Sequence, residues 1–198
     1  MWPWEHLAFG YVLFSLSLRA CGRRLPGDLA VVALVVGTQL PDLVDKPGAW
    51  LFGVLPSGVS LGHSLLFAVP VAVGVLLLGW RLGYAQVGWG FAVGLLSHPT
   101  GDALWYVALG SDVPPLLWPL TPANVDNGPF VGRLVELWLR FLDLLATPQG
   151  TVYVGVELVV LLGTLALWRH DGYPGLGLVR RLRRANHRGD PESPPGRS

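Results

Sequence analysis

Six side chains in this sequence suit metal chemistry: His6, Asp42, Asp45, His63, His98 and Asp102. Imidazole and carboxylate together bind Zn, Mn, Fe or Ni. Asp42 and Asp45 are three residues apart, and His98 and Asp102 are four apart. On a helix each pair shares a face. Pro99 and Gly101 interrupt the second pair. Pro99 cannot donate to the carbonyl four residues back, so a kink or break is expected there. Broken backbone at membrane depth is tolerated where it lines a polar cavity. Pro41 is expected to end the segment before Asp42. The other two histidines, His170 and His187, fall in a polar C-terminal stretch and read as solvated groups.

The elements that must position these residues are apolar. Of 198 residues, 52% are hydrophobic and only 14% are charged, where a soluble domain has roughly 25%. The mean hydropathy is +0.48. With nine Trp, this excludes a disordered chain and a nucleic-acid-binding domain. One membrane domain over 1–168 is expected, followed by a basic, disordered tail over 169–198. A single cysteine, Cys21, excludes an internal disulfide framework. Arg19 stands where a lipoprotein cleavage site needs a small residue, and no basic side chain precedes the first apolar run. A cleaved signal is therefore not expected.

Five apolar segments stand out, at 4–18, 29–40, 64–80, 84–109 and 151–168. A helical span needs about 20 residues, so the first two are short unless their polar flanks count. A further helix is expected over 130–146. Its polar stripe of Arg133, Glu136, Arg140 and Asp143 lies opposite a continuous apolar face, which suits the membrane interface. The fold class expected is all-α, a polytopic membrane bundle of about five transmembrane helices plus one amphipathic interfacial helix. Arg19, Arg23, Arg24, Arg81 and the tail arginines fall on one side if all five segments cross. By the positive-inside rule that side is cytoplasmic, and so is the C-terminus, in the plasma or inner membrane. His6, Asp42, Asp45, His63, His98 and Asp102 then converge at the outer end. Ionisable groups in such a place are usually functional.

At these residues the chain resembles a known family. The run Leu40-Pro41-Asp42-Leu43-Val44-Asp45 is similar to that family's Leu-Pro-Asp segment, and Gly62-His63-Ser64-Leu65 to its Thr-His-Ser element. Gly94-Leu95-Leu96-Ser97-His98 with Asp102 resembles its Gly-x-x-Ser-His-x-x-x-Asp element. Leu117-Trp118-Pro119-Leu120 resembles its Trp-Pro turn, and His6 matches an early histidine. This is the membrane-bound, metal-dependent hydrolase family, which includes a LexA-regulated inner-membrane protein of bacteria. The likeness covers residues 4–121. Three positions depart from it. Gly58 stands where members often have a histidine, Val59 where a basic residue often follows, and Asp45 at i+3 where many have i+2. A one-metal site remains supplied.

The resemblance implies a divalent ion, Zn or Mn, and hydrolysis. His63, His98 and Asp102 would be core ligands, with Asp42 and His6 completing or flanking the site. Asp45 would be the general base or a carboxylate behind a ligand. The ion would activate water and polarise a phosphoryl or carbonyl oxygen. A site at headgroup level points to membrane lipids as partners and to a lipid-like ester or phosphoester as substrate. No nucleic-acid partner is expected. No Gly-x-Ser-x-Gly elbow or Gly-rich phosphate loop is present, which speaks against a serine hydrolase or a nucleotide-driven pump. The competing reading is a non-catalytic transporter or a metal-stabilised membrane scaffold. A transporter would want polar residues continuing to the inner face, and the third and fifth segments have almost none, Glu157 being the lone charge in the fifth.

Overall fold

The structure is a computed structural model that describes residues 1–22, 25–108, 110–126 and 128–178. Among them are six helices of sixteen residues or more: α1 (Pro3–Ala20), α2 (Asp28–Trp50), α3 (Leu65–Arg81), α4 (Ala85–Ala108), α5 (Phe130–Leu145) and α6 (Pro148–His170). No strand occurs among the described residues, so the all-helical expectation is met. Arg23, Arg24 and the tail over 179–198 lie outside the described residues.

Helix α4 is the centre of the bundle and packs on α1, α2 and α3. Its contact with α2 is backbone on backbone. A Cβ at Gly94 would sit 2.5 Å from the Leu34 carbonyl oxygen, and one at Gly37 2.4 Å from that of Phe91. Gly90 and Gly94 form a small-x-x-x-small pair, the spacing that lets helices approach closely where lipid removes the hydrophobic drive for association. Phe14, Leu18 and Leu34 fill the remaining interior.

The outer surface is the reverse of a soluble protein's. Helix α3 buries only Ala68 and Ala72, and α6 only Gly150 and Tyr153. Leu77, Leu78, Trp80, Val159 and Leu162 are all more than half exposed. Contiguous apolar surface of this extent needs an apolar solvent. By length and composition one described helix, Pro148–His170, can cross a membrane alone, and Leu65–Arg81 is apolar but shorter.

Two sequence expectations are corrected. Helix α2 does not end at Pro41 but continues through it and Pro47 to Trp50. Of the kink or break expected at Pro99, the break does not occur, and α4 runs on to Ala108. Pro41 and Pro99 leave the carbonyls four residues back, Gly37 and Leu95, without their helical donors, a loss that a helix packed among neighbours tolerates. Bonds beside these prolines also tie the backbone, the Thr38 carbonyl accepting from His98 Nδ1 and the Leu96 carbonyl from the Thr100 hydroxyl at 2.8 Å. Asp42, Asp45, His98 and Asp102 are therefore all on continuous helices.

Helix α5 forms as the polar stripe predicts. Arg133 and Arg140 both pair with Glu136, and Arg133 reaches Asp126 at 3.0 Å. Its apolar face meets Trp2 through Trp138 and Phe141, and Trp50 through Phe130. It therefore lies against the start of α1 and the end of α2, the end of the bundle that carries the histidines. Helix α6 extends past residue 168, and the turn after it packs back on the bundle, with the Gly175 N–H donating to Asp28 at 2.7 Å.

Candidate metal centre

The site is assembled from α1, α2, α4 and the strap over 51–64. His6 stands in the second turn of α1, after Pro3 at the first helical position, where a missing N–H costs nothing. The neighbouring Glu5 is buried and accepts from the Tyr153 hydroxyl of α6. That bond docks α6 against the start of α1.

Asp45 on α2 organises the strap. Its Oδ1 accepts from the Gly62 N–H at 2.7 Å. Its Oδ2 accepts from the N–H groups of Ser60 at 2.6 Å and His63 at 3.3 Å. The same Oδ2 lies 2.8 Å from His63 Nδ1. Gly62 permits the close pass, because a Cβ there would be 2.7 Å from the Pro41 carbonyl oxygen. Asp45 is fully buried behind the His63 ring and faces away from its Nε2. Its hydrogen bonds thus run to the strap and to His63 Nδ1, behind the imidazole.

The Trp-Pro turn holds the next residue. The Ser64 hydroxyl donates to the Trp118 carbonyl at 2.6 Å, and the Leu65 N–H to that of Leu116 at 2.8 Å. Ser64 also caps α3 by accepting from the Leu66 N–H. The strap is pinned further by Asp126, whose Oδ1 accepts from the Gly58 N–H at 2.9 Å. The space that a side chain at Gly58 would need is filled by the Trp50 indole, 2.5 Å from an added Cβ. A histidine there would have to displace that ring.

His98 on α4 donates from Nδ1 to the Thr38 carbonyl at 2.6 Å. With Nδ1 of both His63 and His98 engaged by an acceptor, each ring presents Nε2 to the site. These two nitrogens are 3.1 Å apart. Asp42 Oδ1 is 3.6 Å from His63 Nε2 and 3.7 Å from His98 Nε2. Asp102 Oδ2 is 3.4 Å and 3.6 Å from the same two atoms. Lys46, one turn after Asp42, takes its other oxygen and leaves Oδ1 free to face the imidazoles. His6 Nε2 lies 3.5 Å from Asp102 Oδ1, and the Met1 ammonium is 2.7 Å from that oxygen. His6, Asp42, His63, His98 and Asp102 thus meet, with the two carboxylates the most open members.

These donors fit a metal ion. A tetrahedral ion with 2.0–2.1 Å bonds separates neighbouring ligand atoms by about 3.3–3.4 Å. Both triangles formed by the two Nε2 atoms and one carboxylate oxygen have sides close to that length. Facing lone pairs at this spacing repel unless a cation or a proton lies among them. Burial disfavours charge on His63, but its hydrogen bonds to Asp102 and Asp45 and the nearby Asp42 outweigh it and push its pKa up to about 9. The site therefore favours positive charge at His63, and a metal would compete with that proton.

Sequence reasoning did not find Thr38, Lys46 or the Trp118 carbonyl. Two of these act through backbone oxygens, which leave no residue-type signal. The Asp42–Lys46 spacing of four was a visible one.

The model of the YdjM inner membrane protein family matches residues 1–172. The chain belongs to this family. Its description names a membrane location, as composition leads one to expect, and names no reaction. No similar curated protein and no similar solved structure was found.

Proposed function

We propose that the protein is a membrane-embedded, metal-dependent hydrolase acting on an ester or phosphoester of a lipid-like substrate. The observation that carries this reading is the pair of oriented imidazoles, His63 and His98, whose Nε2 atoms share their space with Asp42 and Asp102. Each has the other nitrogen fixed by an acceptor, Asp45 or Thr38, as metal-binding histidines do. An ion bound there would supply a Lewis acid and an activated water near neutral pH. The chain's own part is to fix the tautomers, hold two carboxylates against two imidazoles and keep the ring faces dry. Asp42 and Asp102 form the open side, where substrate would enter. Purified without chelator, the protein is expected to carry at least one divalent ion per chain and to hydrolyse members of a lipid and phosphoester panel. No bound ion, and no thermal stabilisation by added Zn or Mn, would defeat the reading. A stabilising ion without turnover on any substrate would leave the scaffold reading in its place.

The membrane topology belongs to the same proposal. Helices α1, α2, α3, α4 and α6 would cross, with α5 on the outer interface and the C-terminus in the cytoplasm. Contacts at both bundle ends support it. The start of α1 meets the start of α6 through Glu5 and Tyr153. The end of α1 meets the end of α6 through Arg19 and Asp171. The site then faces the outer headgroup level, and the arginine-rich ends face inward. Cysteine labels at Val54, exposed on the strap, and at Ser193 are expected to be accessible from opposite sides. Both on one side would overturn the orientation and the choice of a surface substrate.

A further inference from the structure

Helices α1 and α3 both pack on α4 but not on each other. The gap between them is a cleft with α4 as its floor. Its inner end is a hollow of about 370 Å³ bounded by Leu77 and Trp80 of α3, Ser17 of α1 and Ala85 of α4. A second hollow of about 300 Å³ continues it past Leu96 to Thr100, and Ser17 and Trp89 line both. The floor from Ala85 to Thr100 is about 22 Å long. Trp89, Leu96 and Thr100 share one face of α4, and His98, two residues from both Leu96 and Thr100, points elsewhere. The hydroxyl and indole groups of the lining are all satisfied within the protein. Those of Ser17, Ser97 and Thr100 donate to the carbonyls of Phe14, Gly94 and Leu96. The Trp89 indole N–H donates to Ser17 Oγ at 2.9 Å. What the cleft offers a ligand is therefore apolar surface that calls for no water.

We infer that this cleft binds an anionic phospholipid, with one acyl chain laid along α4 and the headgroup at Arg81. The chain belongs to an inner membrane protein family, so open apolar surface on its helices meets acyl chains. A helix as long as the cleft and about 10 Å across would occupy on the order of 1,700 Å³, more than the two hollows together hold. The cleft thus takes a single flexible chain, and neither a partner helix nor a second copy seats in it. Arg81 follows Trp80 at the inner mouth and stands one turn after Leu77, on the same face of α3. It is exposed and has no side-chain partner among the described residues. A free guanidinium at the mouth of an apolar cleft complements a phosphate. With the orientation proposed above, that mouth opens to the cytoplasmic leaflet, where anionic headgroups attract basic side chains. The lipid is held on the side of α4 away from the imidazoles. It fills the gap that α1 and α3 leave, and it needs the membrane but not the metal.

The test uses the full-length protein in phosphatidylethanolamine vesicles containing phosphatidylglycerol with a photoreactive diazirine in one acyl chain. A parallel sample carries the same acyl chain on phosphatidylcholine. After illumination, phosphatidylglycerol adducts are expected on the cleft residues in excess over Val159 and Leu162 of α6, which are more exposed than Leu77. Ala85→Trp fills the inner hollow and should remove that excess. Arg81→Gln should lower phosphatidylglycerol capture about fivefold, the weight of one basic side chain at an anionic surface, and leave phosphatidylcholine capture unchanged. Wild-type adducts spread evenly over the exposed apolar surface overturn the site without recourse to any variant, and so does an excess that survives Ala85→Trp. Equal capture of the two lipids by the wild type overturns the role of Arg81. None of these readouts involves metal or turnover, so either result leaves the metal reading as it stands.

Discussion

Replacing His98 by alanine is expected to lower metal affinity by more than about 100-fold, beyond the 10–100-fold typical of losing an outer-shell partner. The same change should remove the thermal stabilisation that the ion provides. His98 contributes in three ways. Its Nε2 lies in both triangles of donor atoms, its Nδ1 ties α4 to the Thr38 carbonyl of α2, and its ring is the stacking partner of His6. Asp45→Asn tests the orienting role separately. An amide keeps one acceptor oxygen, enough for Gly62 or for Ser60 and His63 but not both, and holds no charge against His63, so a loss of about 10–100-fold is expected. His170→Ala is the control. His170 is exposed at the end of α6, beside Arg19 and Asp171, and its loss should leave metal content unchanged. Metal analysis of the purified proteins, paired with thermal unfolding with and without added Zn, reads all three. A His98→Ala protein that retains its ion would sink the site.

The cluster was legible before the fold because few residues in so apolar a chain could serve it. Three histidines and three aspartates fell at matching ends of four segments, and period and charge bias sufficed to bring them together. What could not be read was which oxygen or nitrogen each would present. The i, i+3 spacing puts Asp42 and Asp45 on one side of α2, yet one faces the imidazoles and the other lies behind His63. That difference is set by the strap, whose path depends on Gly62 passing over Pro41. The helix end was misplaced at Pro41 because a local rule was applied where packing on α4 carries α2 through the proline. Glu5 is buried against Tyr153, 148 residues away. No local pattern reports a contact of that separation. The Gly90–Gly94 pair did carry a signal for the α2–α4 crossing, through its spacing alone.

The opposite end of the bundle yields the second large effect. Asp171 follows α6 directly, where the helix dipole disfavours a carboxylate, so its value must come from elsewhere. Its side chain is fully buried. Oδ2 accepts from the Tyr11 hydroxyl at 2.7 Å and the Ser15 hydroxyl at 2.6 Å, and Oδ1 pairs with Arg19. Burial alone would raise its pKa, but the bonds from Ser15, Arg19 and Tyr11 outweigh that and hold it below the usual carboxylate range. Asp171→Ala would take the shared acceptor from the Tyr11 and Ser15 hydroxyls and the carboxylate from the partly buried Arg19 guanidinium, and breaking such a pair costs about 3–5 kcal/mol. A loss near the lower end, about 3 kcal/mol, is expected because Arg19 keeps some contact with solvent. Asp171→Asn preserves shape and one acceptor and should lose less. The sign of the pH dependence follows from the depressed pKa. The carboxylate's contribution is fully present above its unfolded value of about 3.9 and fades as pH falls through the folded value. The stability gap between wild type and Asp171→Asn should therefore be constant near neutrality and narrow below about pH 4. Unfolding of the purified proteins in mixed detergent, followed across that range, measures both. An Asp171→Ala protein as stable as wild type would mean that the clasp between α1 and α6 holds nothing together.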